Sequence, residues 1–264
     1  MHDAYAGMNR LYLSMHTPDA VRGMDMDDPV VSAWIDRNVS AGQSILDAGC
    51  GLGFDVLALH RGLPAKGGTP RFTVYGSDYS KDMLDDARKT GQTAGIPADR
   101  YQVSSFARLA AIDEWRERMD LVTVNYAIYT QPDEPCDYNG YLDESLRGLR
   151  AVLRSGGHLA INLRDWVALK AADASGSKHS GEATHDGRTY YYEYSWEFGP
   201  ARLHRTTLRM WEDEGTAHST DIWFAERDET EMEVALRRAR FEVVESGRHG
   251  EGAYAFQTLI ARRV

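Results

Sequence analysis

The chain has 264 residues, enough to bury a full core in one domain with a sizeable insertion. Thirty basic against forty acidic side chains leave a net charge of −10, which argues against a nucleic-acid backbone or an anionic membrane as the main partner. Cys50 and Cys136 are too few and too far apart for a disulfide framework or a metal site, the N-terminus is polar, and no stretch approaches the ~20 apolar residues of a membrane span; the expectation is a cytoplasmic, reduced protein.

Residues 1–40 precede the first strand and read as a helical cap. Tyr5, Met8, Leu11 and Tyr12 recur three and four apart, as on one helix face. Asp28-Pro29 opens a second helix with proline in its first turn. The aromatic residues here either pack in the core or form a flap over a ligand.

Ile45-Leu46-Asp47 reads as a strand that runs into Ala48-Gly49-Cys50-Gly51-Leu52-Gly53, with a helix from Val56 to Arg61 behind it. Glycines at 49, 51 and 53 allow a tight turn and close approach of a ligand, and the helix start offers N–H groups to it. This is the pattern of a nucleotide-type cofactor site. A polar loop at 65–70 leads to a second strand, Phe72 to Gly76, and then Ser77-Asp78. Asp78 is placed to accept ribose hydroxyls, with helix capping as the alternative. It lies 31 residues after Asp47, beyond the roughly 20 of a dinucleotide fingerprint, and the glycine- and proline-bearing loop absorbs the excess.

Ser80 caps a helix that carries Met83. Tyr101 to Phe106 is a short third strand and its exit, and Met119 to Asn125 is the fourth, with Asn125 and Tyr126 at its carboxyl edge. Residues 139–153 form a helix with Leu142, Leu146, Leu149 and Leu153 on one face. Arg154-Ser155-Gly156-Gly157 stops it, His158 to Leu163 is the fifth strand, and Arg164-Asp165-Trp166 follows at the edge. Strands alternating with helices imply a parallel sheet covered on both faces.

From about 171 the texture changes. Residues 173–187 read as a loop; Thr189–Trp196, Leu203–Trp211 and Ala217–Phe224 read as antiparallel strands. A helix from Glu229 to Arg240 and strands at Phe241–Glu245 and Ala253–Ala261 complete the main sheet. The expected organisation is a cap at 1–40, a cofactor-binding domain at 41–170 and 226–264, and an inserted antiparallel region at 171–225 that serves as a lid or a subunit contact.

On its own the glycine run fits either NAD or S-adenosylmethionine. Val56 stands where a dinucleotide fold has its third glycine. Asp47 to Gly53, Asp78 and Leu153 to Leu159 together resemble the class I S-adenosylmethionine-dependent methyltransferases, over about residues 40–163 plus the closing strands. The resemblance implies an α/β, Rossmann-like sheet with helices on both faces and here an inserted antiparallel β region. More narrowly, Gly53-Phe54-Asp55, Asn125, Leu153 to Gly157 and Leu163-Arg164-Asp165-Trp166 look like the glycine and glycine/sarcosine N-methyltransferase group. Phe54, Asp165 and Trp166 depart from that group's Val, Asn and Tyr, so the substrate can differ.

The resemblance implies S-adenosylmethionine as cofactor, held by Tyr5, Asp47, Gly49, Gly51, Gly53, Asp78, Tyr79, Met83, Ser105, Phe106, Asn125 and Tyr126. It implies that Arg164 grips a substrate carboxylate, that Asn125 and Tyr192 share the reaction site, and that the chain is a homo-oligomer acting on a small molecule, with no metal.

Methyl transfer from a sulfonium is an in-line displacement in which positioning alone supplies ~7–11 kcal/mol. A planar guanidinium suits bidentate carboxylate recognition; the bland alternative for Arg164 is a salt bridge with Asp165 or another acid. Alternation puts Tyr190, Tyr192 and Tyr194 on one strand face and Tyr191 on the other. His60 and His158 read as structural, whereas His179, His185 or His204 would serve an O-methyltransferase as base. The favoured function is methyl transfer to the nitrogen of a small amino acid or amine. Its rivals are O-methyl transfer to a carboxylate or phenol, and nucleotide binding without turnover.

Overall fold

A computed structural model describes residues 3–62, 71–131, 138–177, 179–213 and 215–264. The expected loop at 65–70 and Cys136 lie outside them. A short 3-10 segment, Leu11–Met15, leads through α1 (Pro18–Val21) to α2 (Pro29–Asn38), whose N-cap Asp28 accepts the Val30 and Val31 amides at 2.8 and 3.0 Å. The main unit then runs β1 (Ser44–Ala48), α3 (Phe54–Arg61), β2 (Thr73–Asp78), α4 (Lys81–Thr93), β3 (Tyr101–Val103), β4 (Met119–Val124), β5 (Thr130–Gln131), α5 (Tyr138–Val152) and β6 (Leu153–Arg164). After α6 (Trp166–Ala174) come β7 (His179–His185), β8 (Arg188–Phe198), β9 (Leu203–Glu212) and β10 (His218–Ala225). Finally α7 (Glu229–Arg238), β11 (Phe241–His249) and β12 (Phe256–Arg263) close the chain.

Seven strands form one sheet in the order β11-β12-β6-β4-β1-β2-β3, parallel except for β12. Strand periodicity splits the core in two. Ile45, Leu121, Ala160 and Ile260 face Trp34, Ile35, Val56, Leu57 and Leu84 of α2, α3 and α4. Their neighbours Leu46, Val122, Ile161 and Leu259 face Leu146 and Leu149 of α5 and Met232 and Leu236 of α7. Burial on both faces explains why these strands read as nearly continuous apolar runs. Among the described residues no helix is long and apolar enough to cross a membrane.

The second sheet is antiparallel throughout, in the order β5-β10-β9-β8-β7. On β8, Tyr192, Tyr194, Trp196 and Phe198 share the face packed on the main core, while Tyr191 stacks on Trp211 across the other face at 5.5 Å and 13°.

Three expectations change. The loop expected at 173–187 is the end of α6 and edge strand β7, paired along its length with β8; its polar residues suit a strand with one solvated face, so composition hid it. The helix expected around Tyr5 to Tyr12 is a series of turns followed by 3-10 structure, with Gly7 at φ 72°. The Arg154–Gly157 turn lies inside β6, where Gly156 at φ 72° accompanies a register shift against β4.

Candidate active site

The carboxyl ends of β1, β2, β4 and β6 open on a cavity of about 410 Å³, within the range of small-molecule sites. Of the expected cofactor residues, Tyr5, Asp47, Gly49, Gly51, Asp78, Tyr79, Met83, Ser105, Phe106, Asn125 and Tyr126 line it, as do Arg164 and Tyr192. Gly53 does not. It is the N-cap of α3 at φ 79°, and a Cβ there would meet Ala87 Cβ at 3.0 Å.

Four amides of the glycine loop are spent internally: Gly49 and Cys50 donate to the Ser77 carbonyl at 2.7 and 2.9 Å, Gly53 to Cys50 at 2.8 Å, and Gly51 to Asp78 Oδ2 at 2.8 Å. The loop therefore presents a wall without side chains. A Cβ on Gly49 would press on Ala127 Cβ at 3.0 Å and the Phe106 ring at 3.3 Å, both cavity residues. Asp78 joins the two halves of this wall, since its Oδ1 also accepts the Ser80 amide at 2.8 Å. Each of its oxygens keeps a further lone pair for a ligand hydroxyl.

The N-terminal segment is tied over this end. Ser80 Oγ donates to Asp3 at 2.8 Å, Gly7 N donates to Asp82 at 3.2 Å, and Tyr5 packs edge-on to Tyr12 at 5.5 Å.

Four carboxyl side chains, Asp27, Asp47, Asp55 and Asp78, stand in the polar lining. Burial pushes the Asp47 carboxyl up to about 7 against a hydrogen bond from Thr123 Oγ1 at 2.9 Å. Burial likewise lifts Asp78 to about 6, and Asp55 well above the carboxylate range. Asn125 Nδ2 donates to Asp55 at 2.6 Å. This leaves Asn125 Oδ1 buried without a partner among the described residues. Four carboxyls and an acceptor unpartnered among the described residues around one cavity fit a cationic ligand, and the side-chain-free wall fits a flat or extended one. Both features suit S-adenosylmethionine with its sulfonium and ammonium groups.

At the other end, Arg164 Nη1 donates to the Ala253 carbonyl at 2.8 Å, and its guanidinium lies 4.8 Å from the Phe256 ring and 5.6 Å from Trp196. Among the described residues its Nε is buried without a partner and it forms no ion pair. Asp165, the alternative partner, instead caps α6 through the Ala168 amide at 2.9 Å.

Sequence reasoning missed two cavity histidines. His16 Nδ1 lies 3.4 Å from Asp27, and His249 Nε2 lies 3.4 Å from Asp28. The expected bases are elsewhere: His185 holds the Leu13 and His16 carbonyls, His204 bonds Glu226 at 2.7 Å, and His179 faces Asp173. Tyr12, of the expected N-terminal flap, and Tyr194, on the expected tyrosine face of β8, also line the cavity, as do Tyr129 and Tyr254, which carried no sequence signal beyond being aromatic. Tyr126 adopts φ 56°, held by its amide bond to Asn162 Oδ1 at 2.6 Å and its hydroxyl bond to the Asp27 carbonyl at 2.9 Å. Strain of this kind persists where surrounding contacts fix it.

The sheet order, the cavity at its carboxyl edge and the glycine wall define an S-adenosylmethionine-dependent α/β enzyme of class I architecture. The family model of a methyltransferase domain matches residues 39–213, and the chain belongs to that family. A solved S-adenosylmethionine-dependent methyltransferase from Clostridium acetobutylicum superposes with a TM-score of 0.67 at 16% identity, covering 99% of each chain. The structure of S-adenosylmethionine-bound CalS10, an amino pentose methyltransferase from Micromonospora echinaspora, gives 0.61 at 17% identity over 100% of this chain and 98% of that one. A curated relative, an uncharacterised 37.1 kDa protein in transposon TN4556 of Streptomyces fradiae, is 32% identical over 130 residues. That match covers 48% of this chain, which thus spans about a third (32%) of the relative's length.

Proposed function

We propose that this methyltransferase acts on the nitrogen of a small amine that carries a carboxylate, in the manner of the glycine and glycine/sarcosine N-methyltransferase group. The observation that carries the reading is Arg164: a guanidinium on the cavity wall with a buried, unpartnered Nε and no carboxylate of its own among the described residues. A planar fork without a counter-ion is matched by a bidentate carboxylate. The amino pentose methyltransferase among the structural neighbours supports an amine acceptor on the same fold.

In this reading Asp78 takes the ribose hydroxyls, Tyr5, Tyr79, Met83, Ser105 and Phe106 hold the adenosyl group, and Asp47 and Asn125 face the cationic tail beside Gly49 and Gly51. S-adenosylmethionine supplies an electrophilic methyl group on sulfur. Arg164 sets the acceptor's position, and Tyr192 and Tyr194 offer ring faces and hydroxyl oxygens to the charged nitrogen. Positioning of this kind is the main catalytic need of an in-line displacement.

The test is a screen of amino acids and simple amines with purified protein and S-adenosylmethionine, read by product mass and fragmentation. N-methylated products from carboxylate-bearing amines are expected. Products methylated only on oxygen would replace this reading with the O-methyltransferase one, and failure to bind S-adenosylhomocysteine would sink both.

A further inference from the structure

Arg164, Phe256 and His249 are register partners across three adjacent strands. Phe256 of β12 pairs with Arg164, the last residue of β6, and with His249, the last residue of β11. Directly paired residues project on the same sheet face. Both flanking side chains rest on the ring between them: the guanidinium at 4.8 Å, and the imidazole stacked at 5.5 Å and 19°. Two strand spacings of about 4.8 Å separate the outer backbones by roughly 10 Å. That suits a short zwitterion with its carboxylate on one partner and its nitrogen near the other.

The imidazole is held by its stack on Phe256 and faces a carboxylate. His249 Nε2 lies 3.4 Å from Asp28 Oδ2, and its side chain is 11% exposed. Asp28 is itself fixed, fully buried, by the Val30 and Val31 amides, by Thr258 Oγ1 at 2.7 Å and by Asn162 Nδ2 at 3.2 Å. Burial disfavours its charge, but the contacts from His249, Thr258 and the Val31 amide outweigh burial and hold the carboxyl below its ordinary value. The approach is not aligned as a hydrogen bond, but a buried carboxylate on the Nε2 side favours the tautomer with the proton there. Nδ1 then carries the lone pair, and it takes no hydrogen bond among the described residues. The other charged or titratable groups around the ring are Tyr126, centred 6.2 Å away, Arg164 across Phe256, Asp27 next to Asp28, and Arg248 and Tyr254 from the flanking chain.

We propose that His249, positioned by Asp28, is the general base that deprotonates the acceptor ammonium. This rests on the amine reading above. An ammonium has no lone pair to donate, so one proton must leave before transfer. His249 Nδ1 takes it, and the freed amine pair forms the new N–C bond. The S–CH3 bond breaks with its electron pair returning to sulfur, the product leaves as a methylammonium, and the imidazolium releases its proton to water. His16 faces Asp27 similarly, but it packs on Phe54 and Tyr12 near the glycine loop.

The experiment measures kcat/KM from pH 6 to 10 with the amine found in the acceptor screen, for wild type, His249→Gln and Asp28→Asn. It adds an NMR titration of the His249 ring in the S-adenosylhomocysteine complex. Positioned bases contribute about 10²–10⁴-fold, so His249→Gln should fall by at least about 10²-fold at pH 7. Its deficit should shrink as the pH passes the amine's own titration. Asp28→Asn retains a capping side chain, should bind S-adenosylhomocysteine normally, and should move both the acid limb and the ring titration to lower pH. A His249→Gln deficit that stays constant with pH overturns the proposal. So does loss of the acid limb in His16→Gln with its retention in His249→Gln. A chain that methylates only oxygen overturns the amine reading and this proposal together, whereas an amine methylated with an unaltered pH profile overturns His249 alone.

Discussion

Asn125 at the end of β4 and Asp55 in the first turn of α3 are joined by a 2.6 Å hydrogen bond from Nδ2 to Oδ2. With its NH2 group donating to Asp55, the amide turns Oδ1, unpartnered among the described residues, away from that carboxyl, while Asp55 Oδ1 takes the Asp27 amide at 3.1 Å. One side chain so links the sheet edge, the helix behind the glycine loop and the segment that carries both histidine-facing acids. Asn125→Ala should raise the Kd for S-adenosylmethionine about tenfold, the worth of one hydrogen bond to a charged group at about 1.5 kcal/mol. Calorimetry reads this directly; an unchanged Kd would take Asn125 out of the cofactor wall.

For Arg164 the expected signature is a split between acceptor and cofactor. Removing a charge-assisted bidentate contact costs about 1.5–3 kcal/mol. Arg164→Ala should therefore raise the acceptor KM by roughly 10–100-fold while the affinity for S-adenosylhomocysteine is kept. Arg164→Lys should not restore KM, because an ammonium cannot reproduce the fork. Steady-state kinetics on both variants, with the acceptor found by screening, checks the point; equal losses for acceptor and cofactor would count against a carboxylate clamp.

Gly49 and Gly53 separate binding from stability. Both sit at φ 79°, where an L side chain costs roughly 1–2 kcal/mol. A Cβ at 49 strikes Ala127 and Phe106 on the cavity wall, whereas one at 53 strikes Ala87 in α4. Each alanine variant should lower Tm by roughly 2–8 °C, but Gly49→Ala alone should also weaken S-adenosylhomocysteine binding. Matching affinities for the two variants would refute the division.

The legible part of the site is the part written locally. Gly49 to Gly53 and Asn125 follow strands of the parallel sheet and Asp78 and Arg164 end them, and the carboxyl edge of such a sheet brings strand ends together whatever lies between them. The rest depends on pairings that leave no local mark. The glycine-loop amides are taken by the Ser77 carbonyl and the Asp78 carboxylate of β2, contacts that exist only once β1 and β2 lie side by side. His249 escaped because β11 runs four residues past the expected end at Glu245, through alternately exposed positions that show no apolar period. Asp27 and Asp28 read only as the approach to Pro29, although Asp28 is both a helix cap and a buried partner of Thr258, Asn162 and His249. Strand β5 joins a sheet whose other members lie beyond α6, and two residues give no periodicity at all.

Asp47 yields a pH dependence whose sign can be fixed. Its carboxyl stands at about 7 in the fold, with burial the leading cause, against roughly 3.9 in an unfolded chain. A carboxyl raised on folding contributes stability that is fully present below its unfolded value and is lost as the pH climbs through its folded value. Asp78, at about 6, acts in the same direction. Asp28, lowered instead, stabilises the fold above its unfolded value and loses that only in strong acid. The cofactor-free protein should therefore show a Tm that falls as the pH rises from about 5 to 7.5. Asp47→Asn keeps an acceptor for Thr123 Oγ1 and removes the ionisation, so its Tm should be flatter over the same range. A cation placed beside these groups reverses the preference by favouring their charged forms. Binding of S-adenosylmethionine or S-adenosylhomocysteine, which share the ammonium beside Asp47 and the ribose beside Asp78, should then release protons between pH 5 and 7 and tighten as pH rises. Calorimetry in buffers of different ionisation enthalpy measures the released protons, and binding of either ligand without proton release would show that these carboxyls do not face it.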